Sequence, residues 1–105
     1  MEDRQSKFRE LMLQAMDEGL LAIGEKGRQA IYVYLEVRKG IKKQESTEKI
    51  EEFSRTLHEI FGNGAYVIEK IILKHLYLSL GLEFREKQGT SFNDYVIGAR
   101  KSLLT

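Results

Sequence analysis

The sequence contains no cysteine, no proline and no tryptophan. Without cysteine the chain cannot form disulfides, use a thiolate nucleophile, or hold zinc or an iron–sulfur cluster through thiolates. A large excess of one charge is also missing, because 17 basic residues oppose 16 acidic residues and leave a net charge of +1. The chain therefore has no overall field that attracts it to nucleic acid or anionic lipid, and any such binding has to be local.

A hydrophobic run long enough to cross a membrane is also missing. The longest apolar stretch, residues 66–80, is interrupted by Glu69, Lys70 and Lys74. As a helix it would span roughly 22 Å, whereas a bilayer core needs about 30 Å. Residues 1–9 are charged and lack the basic-then-apolar pattern of a secretory signal, so we expect a cytoplasmic protein.

The sequence is instead rich in amphipathic helical patterns. Most of the chain repeats apolar residues at the three- and four-residue spacings of a helix that is buried on one side. These patterns predict an all-α fold, a compact bundle of about five helices around a central apolar helix at about residues 65–80. A length of 105 residues fits a single domain, 1–105. Within it we interpret residues 1–23 as an N-terminal helix that serves as a docking or dimerisation arm, and residues 24–105 as the core.

The second segment, residues 25–37, carries a β-branched and aromatic run that is also compatible with a strand. We favour a helix, because its apolar residues keep helical spacing and because no other segment could pair with a strand. The residues with this spacing are Ala30, Ile31, Tyr34 and Leu35.

Residues 38–45 follow as a polar loop with a local concentration of positive charge. Four basic residues in this loop are candidates for phosphate contacts, namely Arg38, Lys39, Lys42 and Lys43. Nucleic-acid binding through this loop, without readout of the base sequence, is the alternative function that we consider.

The third helix is predicted to begin at Ser46 or Thr47, either of which can cap free amides. Residues 62–64, Gly-Asn-Gly, end the third helix, since both residue types tolerate the left-handed conformation.

The fourth helix has two separate apolar arcs on a helical wheel, so we expect it to be covered on two sides. The arcs consist of Tyr66, Ile72, Leu73, Leu76, Tyr77 and Leu80, and of Val67, Ile68, Ile71 and Leu78. Ser91 and Asp94 predict a capping box at the start of the fifth helix.

The two histidines are the first places to look for acid–base chemistry or a metal, because imidazole titrates near neutral pH. If the third and fourth helices fold back about Asn63, position 58 lies opposite position 68 and His75 lies near Glu51 or Glu52. We therefore interpret His58 and His75 as structural or solvated. The sequence offers no serine, histidine and acid arrangement and no phosphate-binding glycine loop, so we predict no enzymatic activity, no metal and no cofactor.

Protein–protein interaction is the function that the sequence favours. Four apolar residues lie beside the main stripes of the first two helices and are candidate interface residues, namely Leu13, Leu21, Tyr32 and Val33. A fourth helix with two apolar arcs also favours a homodimer, because one short chain has few helices to cover both arcs. The pairing of the third and fourth helices resembles a helix-turn-helix. However, the fourth helix presents too few polar side chains to read base edges.

Short motifs from Gly24 onward resemble a family of small archaeal helical domains of unknown function. The likeness lies in Gly24, Ala30-Ile31-Tyr32, Tyr34-Leu35-Glu36, Gly40-Ile41, Phe53, Leu57, Ile60-Phe61-Gly62, Gly64-Ala65, Val67-Ile68-Glu69-Lys70, Leu76-Tyr77, Leu80-Gly81, Phe92 and Asp94-Tyr95-Val96. Some members are output domains of archaeal signalling proteins, so the resemblance implies a signalling output role. It implies no catalytic or ligand-binding residues.

Overall fold

Five α-helices and two short 3-10 helices form the part of the chain that the computed structural model describes, residues 3–104. No strand occurs in this part, so the predicted all-α bundle is confirmed. The α-helices are α1 (Arg4–Leu20), α2 (Glu25–Lys39), α3 (Ile50–Phe61), α4 (Gly64–Ser79) and α5 (Phe92–Leu104). The 3-10 helices span Leu21–Ile23 and Lys43–Glu48.

Helix α1 belongs to the core of the bundle and packs against α4 along its length. The Asp3 carboxylate caps its first turn by accepting a hydrogen bond of 2.8 Å from the backbone N–H of Ser6. The apolar stripe of α1 is fully buried, and it consists of Phe8, Met12, Ala15, Met16 and Leu20. Gly24 therefore separates two helices of one core, which corrects the interpretation of residues 1–23 as an arm beside that core.

Helix α2 lies between two glycines whose backbone conformation only glycine adopts easily. Gly24 (φ 87°) precedes its first residue, and Gly40 (φ 69°) ends it in the left-handed region. The buried residues of α2 are Ile31, Tyr32 and Leu35. Of the four residues with helical spacing, Ile31 and Leu35 face the core, whereas Ala30 is exposed and Tyr34 is half-buried.

The basic segment and the start of α3 differ from the prediction. Arg38 and Lys39 form the last turn of α2, and Lys43 begins a 3-10 helix, so residues 38–45 are not one loop. Ser46 and Thr47 do not cap α3, which begins at Ile50. Their side chains are buried and donate hydrogen bonds to the carbonyls of the preceding 3-10 turn.

Helix α4 is covered on one side by α1, α3 and α5. Its buried residues are Ala65, Ile68, Glu69, Ile72, Leu73 and Leu76. The chain itself does not cover the second side, because Val67 is 63% exposed and Leu78 is 77% exposed. None of the helices within residues 3–104 combines the length and the apolarity that a membrane crossing requires.

Helix α5 begins as the sequence predicts. The Ser91 hydroxyl accepts a hydrogen bond of 3.0 Å from the Asp94 backbone N–H, and the Asp94 carboxylate accepts one of 3.4 Å from the Ser91 N–H. Phe92, Val96 and Ala99 face the core. The polar segment 80–91 that precedes α5 leads the chain from the end of α4 across one edge of α3 and α4.

Candidate functional site

The four residues predicted as a partner surface have different environments. Leu21 and Val33 are exposed, whereas Leu13 is half-buried against the core. The prediction for Tyr32 is wrong, because its ring is buried and its hydroxyl donates a hydrogen bond of 2.8 Å to Asp17. Burial, followed by this bond to a carboxylate, raises the pKa of the Tyr32 hydroxyl above its ordinary value.

The four residues predicted to contact phosphate also have different environments, since some form ion pairs and the others are exposed. Lys39 forms an ion pair of 3.2 Å with Glu59. Lys43 lies 3.5 Å from Asp17 and covers the ring of Tyr32, with 4.8 Å from Nζ to the ring centroid. Arg38 and Lys42 are exposed. Two of the four charges are thus engaged by carboxylates of the same chain, which reduces the positive charge that remains for phosphate.

A cluster of polar side chains forms where α3 and α4 meet, and its centre is Glu69. This carboxylate is 5% exposed and accepts hydrogen bonds from the hydroxyl of Ser54 and from Nε2 of His58, the latter at 3.1 Å. The ring of Tyr66 meets the His58 ring edge to face at 4.5 Å. The predicted fold-back about Asn63 places position 68 opposite position 58, and the side chain that His58 contacts is that of the next residue, Glu69.

The second histidine lies elsewhere. His75 lines a recess with residues of α1 and α2, among them Gln14, Asp17 and Arg28. Glu51 instead accepts a hydrogen bond from Asn93 of α5. The expected neighbourhood of His75 and either Glu51 or Glu52 is wrong, because His75 lies beside α1 and α2 and Glu52 pairs with Arg55.

A groove of about 760 Å³ opens next to Glu69, and we call it the aromatic groove. It lies between α3, α4, the start of α5 and the segment 84–91. The apolar part of its wall consists of Leu73, Phe84, Phe92 and Tyr95. Lys70 and Glu86 form an ion pair of 2.8 Å beside it. The hydrogen bond from Lys70, together with its charge, lowers the pKa of Glu86.

Tyrosine side chains hold the segment that borders the aromatic groove. The Tyr95 hydroxyl accepts a hydrogen bond from the Lys87 N–H at 2.6 Å and donates one to the Lys87 carbonyl at 3.1 Å. The Tyr77 hydroxyl donates to the Tyr95 carbonyl at 2.8 Å. Phe84 stacks edge to face on both tyrosine rings, with centroids 5.4 and 5.2 Å apart. The wall of the groove is therefore tied to α4 and α5.

The order of groups around Glu69 determines what the cluster can do. In a serine-hydrolase triad the imidazole lies between the hydroxyl and the carboxylate, so that it can take the hydroxyl proton. Here the carboxylate is in the middle and bonds both Ser54 and His58. This order suits a binding or structural cluster better than acyl transfer. Within residues 3–104 no group of three or more histidine and acidic side chains could hold a metal.

Sequence reasoning did not single out Glu69, although a signal was present. Its position on the helical wheel lies inside the arc of Ile72 and Leu76, so its side chain points into the core. A charged residue at such a position needs partners, and the register about Asn63 places His58 nearby. No family model matches the chain, and no curated protein and no solved structure was found to be similar to it.

Proposed function

We propose that this chain is a non-enzymatic helical protein-interaction module that forms a homodimer through an exposed apolar stripe of α4. We call Val67, Ile71 and Leu78 the outer stripe, in which Val67 and Leu78 are exposed and Ile71 is half-buried. The observation that carries the proposal is the exposure of Val67 (63%) and Leu78 (77%) on a helix whose other side packs against α1, α3 and α5. Contiguous apolar surface of this kind is typical of partner contacts.

The spacing of the outer stripe supports a helix as the partner. Positions 67, 71, 74 and 78 are separated by four, three and four residues, which is the seam of a two-helix contact. Position 74 is an exposed lysine, whose aliphatic stem can cover apolar surface while its ammonium stays in water. A second α4 laid along this seam would bury all four side chains.

A second copy of the chain is the simplest such partner. In a two-fold dimer the same stripe supplies both sides of the contact, so no further complementary surface is needed. The stripe is about 17 Å long. A standard interface buries about 800 Å² per partner, which is more than one such stripe offers. We therefore expect a weak dimer that dissociates at micromolar concentrations.

The biological setting stays a prediction. The resemblance to archaeal output domains supports an interaction role, and an archaeal origin, a signalling role and a cytoplasmic location are predictions that accompany it. Nucleic-acid binding stays the alternative, and the ion pairs of Lys39 and Lys43 weaken it.

Light scattering behind a sizing column, at concentrations from micromolar to submillimolar, tests the dimer. We expect the mass to rise from that of one chain to that of two. The double substitution V67E/L78E should keep the chain monomeric at all concentrations, because it places like charges on both sides of the contact. Its far-UV circular dichroism should not change, since both side chains are exposed.

The matched control is V37E, which adds one charge at a valine that is 73% exposed on α2. This variant should dimerise like the wild type. A wild-type chain that stays monomeric at submillimolar concentration would contradict the homodimer. Dissociation by V37E, with no effect of V67E/L78E, would move the contact from α4 to α2.

A further inference from the structure

The aromatic groove has the size and the mixed lining of a small-molecule site. Its volume of about 760 Å³ lies within the range of about 300–1,000 Å³ that is usual for ligand pockets. Its lining combines apolar side chains with polar groups of α3 and α4. It lies on a different side of α4 from the outer stripe, so its role does not depend on dimerisation.

Glu69 provides the polar anchor of the groove. It is the acidic residue among the buried polar side chains, and it lines the groove with the small part that is exposed. Its two hydrogen-bond donors are a serine hydroxyl and an imidazole, neither of which carries a permanent positive charge. A carboxylate has about four acceptor positions, and these two bonds leave about half of them open. A buried carboxylate with open acceptor positions and no permanently charged partner is stabilised when a cation binds to it.

The two lysines that line the groove do not pair with Glu69. Lys70 follows Glu69 in the chain, but its ammonium pairs with Glu86 at 2.8 Å. That ion pair also neutralises the other carboxylate that lines the groove. Lys87 is exposed, and no ion pair joins it to Glu69 in the described part of the chain. Glu69 is thus the carboxylate of the groove that has no permanently charged partner.

The apolar part of the lining favours a cation with an apolar body. Phe84 and Tyr95 stand edge to face with ring centroids 5.2 Å apart, and Phe92 also lines the groove. Aromatic faces attract cations through the ring quadrupole and also bury apolar groups. A ligand with an ammonium at one end and a flat apolar group at the other would match both the carboxylate and the aromatic residues.

We propose that the aromatic groove binds small organic cations, with a primary ammonium on Glu69 and an aromatic or apolar group against Phe84 and Phe92. The ammonium donates to the open acceptor positions of the carboxylate. The rings exclude water from the remainder of the ligand. An anionic ligand held by Lys70 and Lys87 is the competing possibility, and the choice of probes separates the two.

The test compares three probes of nearly equal size, namely 2-phenylethylammonium, the neutral 2-phenylethanol and the anionic 3-phenylpropionate. Each is titrated into the wild-type chain while amide shifts are followed in ¹H–¹⁵N spectra. We expect the ammonium to bind about tenfold or more tightly than the other two. The shifted amides should be those of residues 54–58, 66–73 and 84–95.

E69Q should weaken binding of the ammonium by about tenfold or more, since it removes the anchoring charge and keeps the shape. E86Q is the matched control, because it removes a carboxylate that is already paired with Lys70, and it should change affinity by less than about twofold. V67E/L78E should bind the ammonium like the wild type, which separates this proposal from the dimer.

Three results would overturn the proposal: equal affinity for all three probes, tighter binding of the carboxylate, or shifts outside the groove. The comparison of probes uses the unaltered chain, so it decides the question even where E69Q does not fold. An E69Q variant that folds and binds the ammonium normally would also exclude Glu69 as the anchor.

Discussion

Among single residues, Gly19 sets the distance between α1 and α4. A Cβ atom at this position would lie 2.2 Å from Cγ1 of Ile72 and 3.2 Å from its backbone nitrogen. Ile72 is fully buried, so its side chain cannot turn out into solvent to make room. We predict that Gly19→Ala destabilises the fold by about 1–3 kcal/mol, the usual cost of an overpacked core. Urea unfolding followed by circular dichroism measures this.

The control for Gly19→Ala is Gly98→Ala in α5. There the nearest atom to an added Cβ is the Tyr77 hydroxyl oxygen at 3.6 Å, which is an ordinary contact. Alanine is the better helix former, so Gly98→Ala should stabilise the fold by up to about 1 kcal/mol. If Gly19→Ala were as stable as the wild type, the close approach of α1 to α4 would be refuted.

Tyr32 makes the free energy of unfolding depend on pH in the alkaline range. Burial, and then the hydrogen bond to Asp17, raises the pKa of its hydroxyl in the folded state, while the unfolded value is about 10. Below pH 10 both states carry the proton and the full stabilisation is present. Above it the unfolded state loses the proton first, so the free energy of unfolding falls by at most about 1.4 kcal/mol per pH unit from this group.

The measurement is a series of urea unfolding curves at alkaline pH for the wild type and Tyr32→Phe. We expect the decline above pH 10 to be shallower in Tyr32→Phe, because phenylalanine has no proton to lose. Tyr66→Phe is the control, since Tyr66 is 62% exposed, and it should follow the wild type. Parallel curves for the wild type and Tyr32→Phe would show that Tyr32 is not the responsible group.

For the helices as elements, periodicity in the sequence was sufficient to predict that each exists, but it did not fix where each begins or which face is buried. Ser46 and Thr47 resemble caps, yet their hydroxyls bond back to carbonyls of a 3-10 turn, which the helical period does not describe. Tyr32 was assigned to a partner surface because it lies beside the main apolar stripe of the second helix, but its burial depends on a partner for its polar end. The Asp17 carboxylate on α1 accepts a hydrogen bond from the Tyr32 hydroxyl inside the fold, and it lies 15 residues earlier in the chain.

The same limit applies to the aromatic groove. Glu69 could be recognised as core-facing from its position on the wheel, but its partner Ser54 depends on how α3 crosses α4. The groove wall requires Phe84, which follows α4 in a segment without regular structure. Contacts of this kind join distant parts of the chain, and local patterns carry no information about them.

The start of α5 was predicted in detail because its signal is local. The Ser91 hydroxyl accepts a hydrogen bond from the Asp94 N–H, which is otherwise without a partner in the helix. We predict that Ser91→Ala lowers the free energy of unfolding by about 1 kcal/mol. Ser102→Ala, at an exposed position in the last turn of the same helix, should change it by no more than a few tenths of a kcal/mol. Equal stability of the two variants would argue against the cap.

The chain as a whole folds around α1, and this can be tested by removing it. Phe8, Met12, Met16 and Leu20 are fully buried. Burial of such side chains is worth about 1.5–3 kcal/mol each, so together they contribute roughly 6–12 kcal/mol. That is comparable to the entire stability of about 5–15 kcal/mol that is usual for a domain.

Residues 24–105 alone should therefore lose the cooperative thermal transition and most of their helical circular dichroism. Adding a peptide of residues 1–23 should restore both, which shows that the fragment is intact. A fragment that unfolds at the wild-type temperature would instead support the interpretation of residues 1–23 as a separate arm.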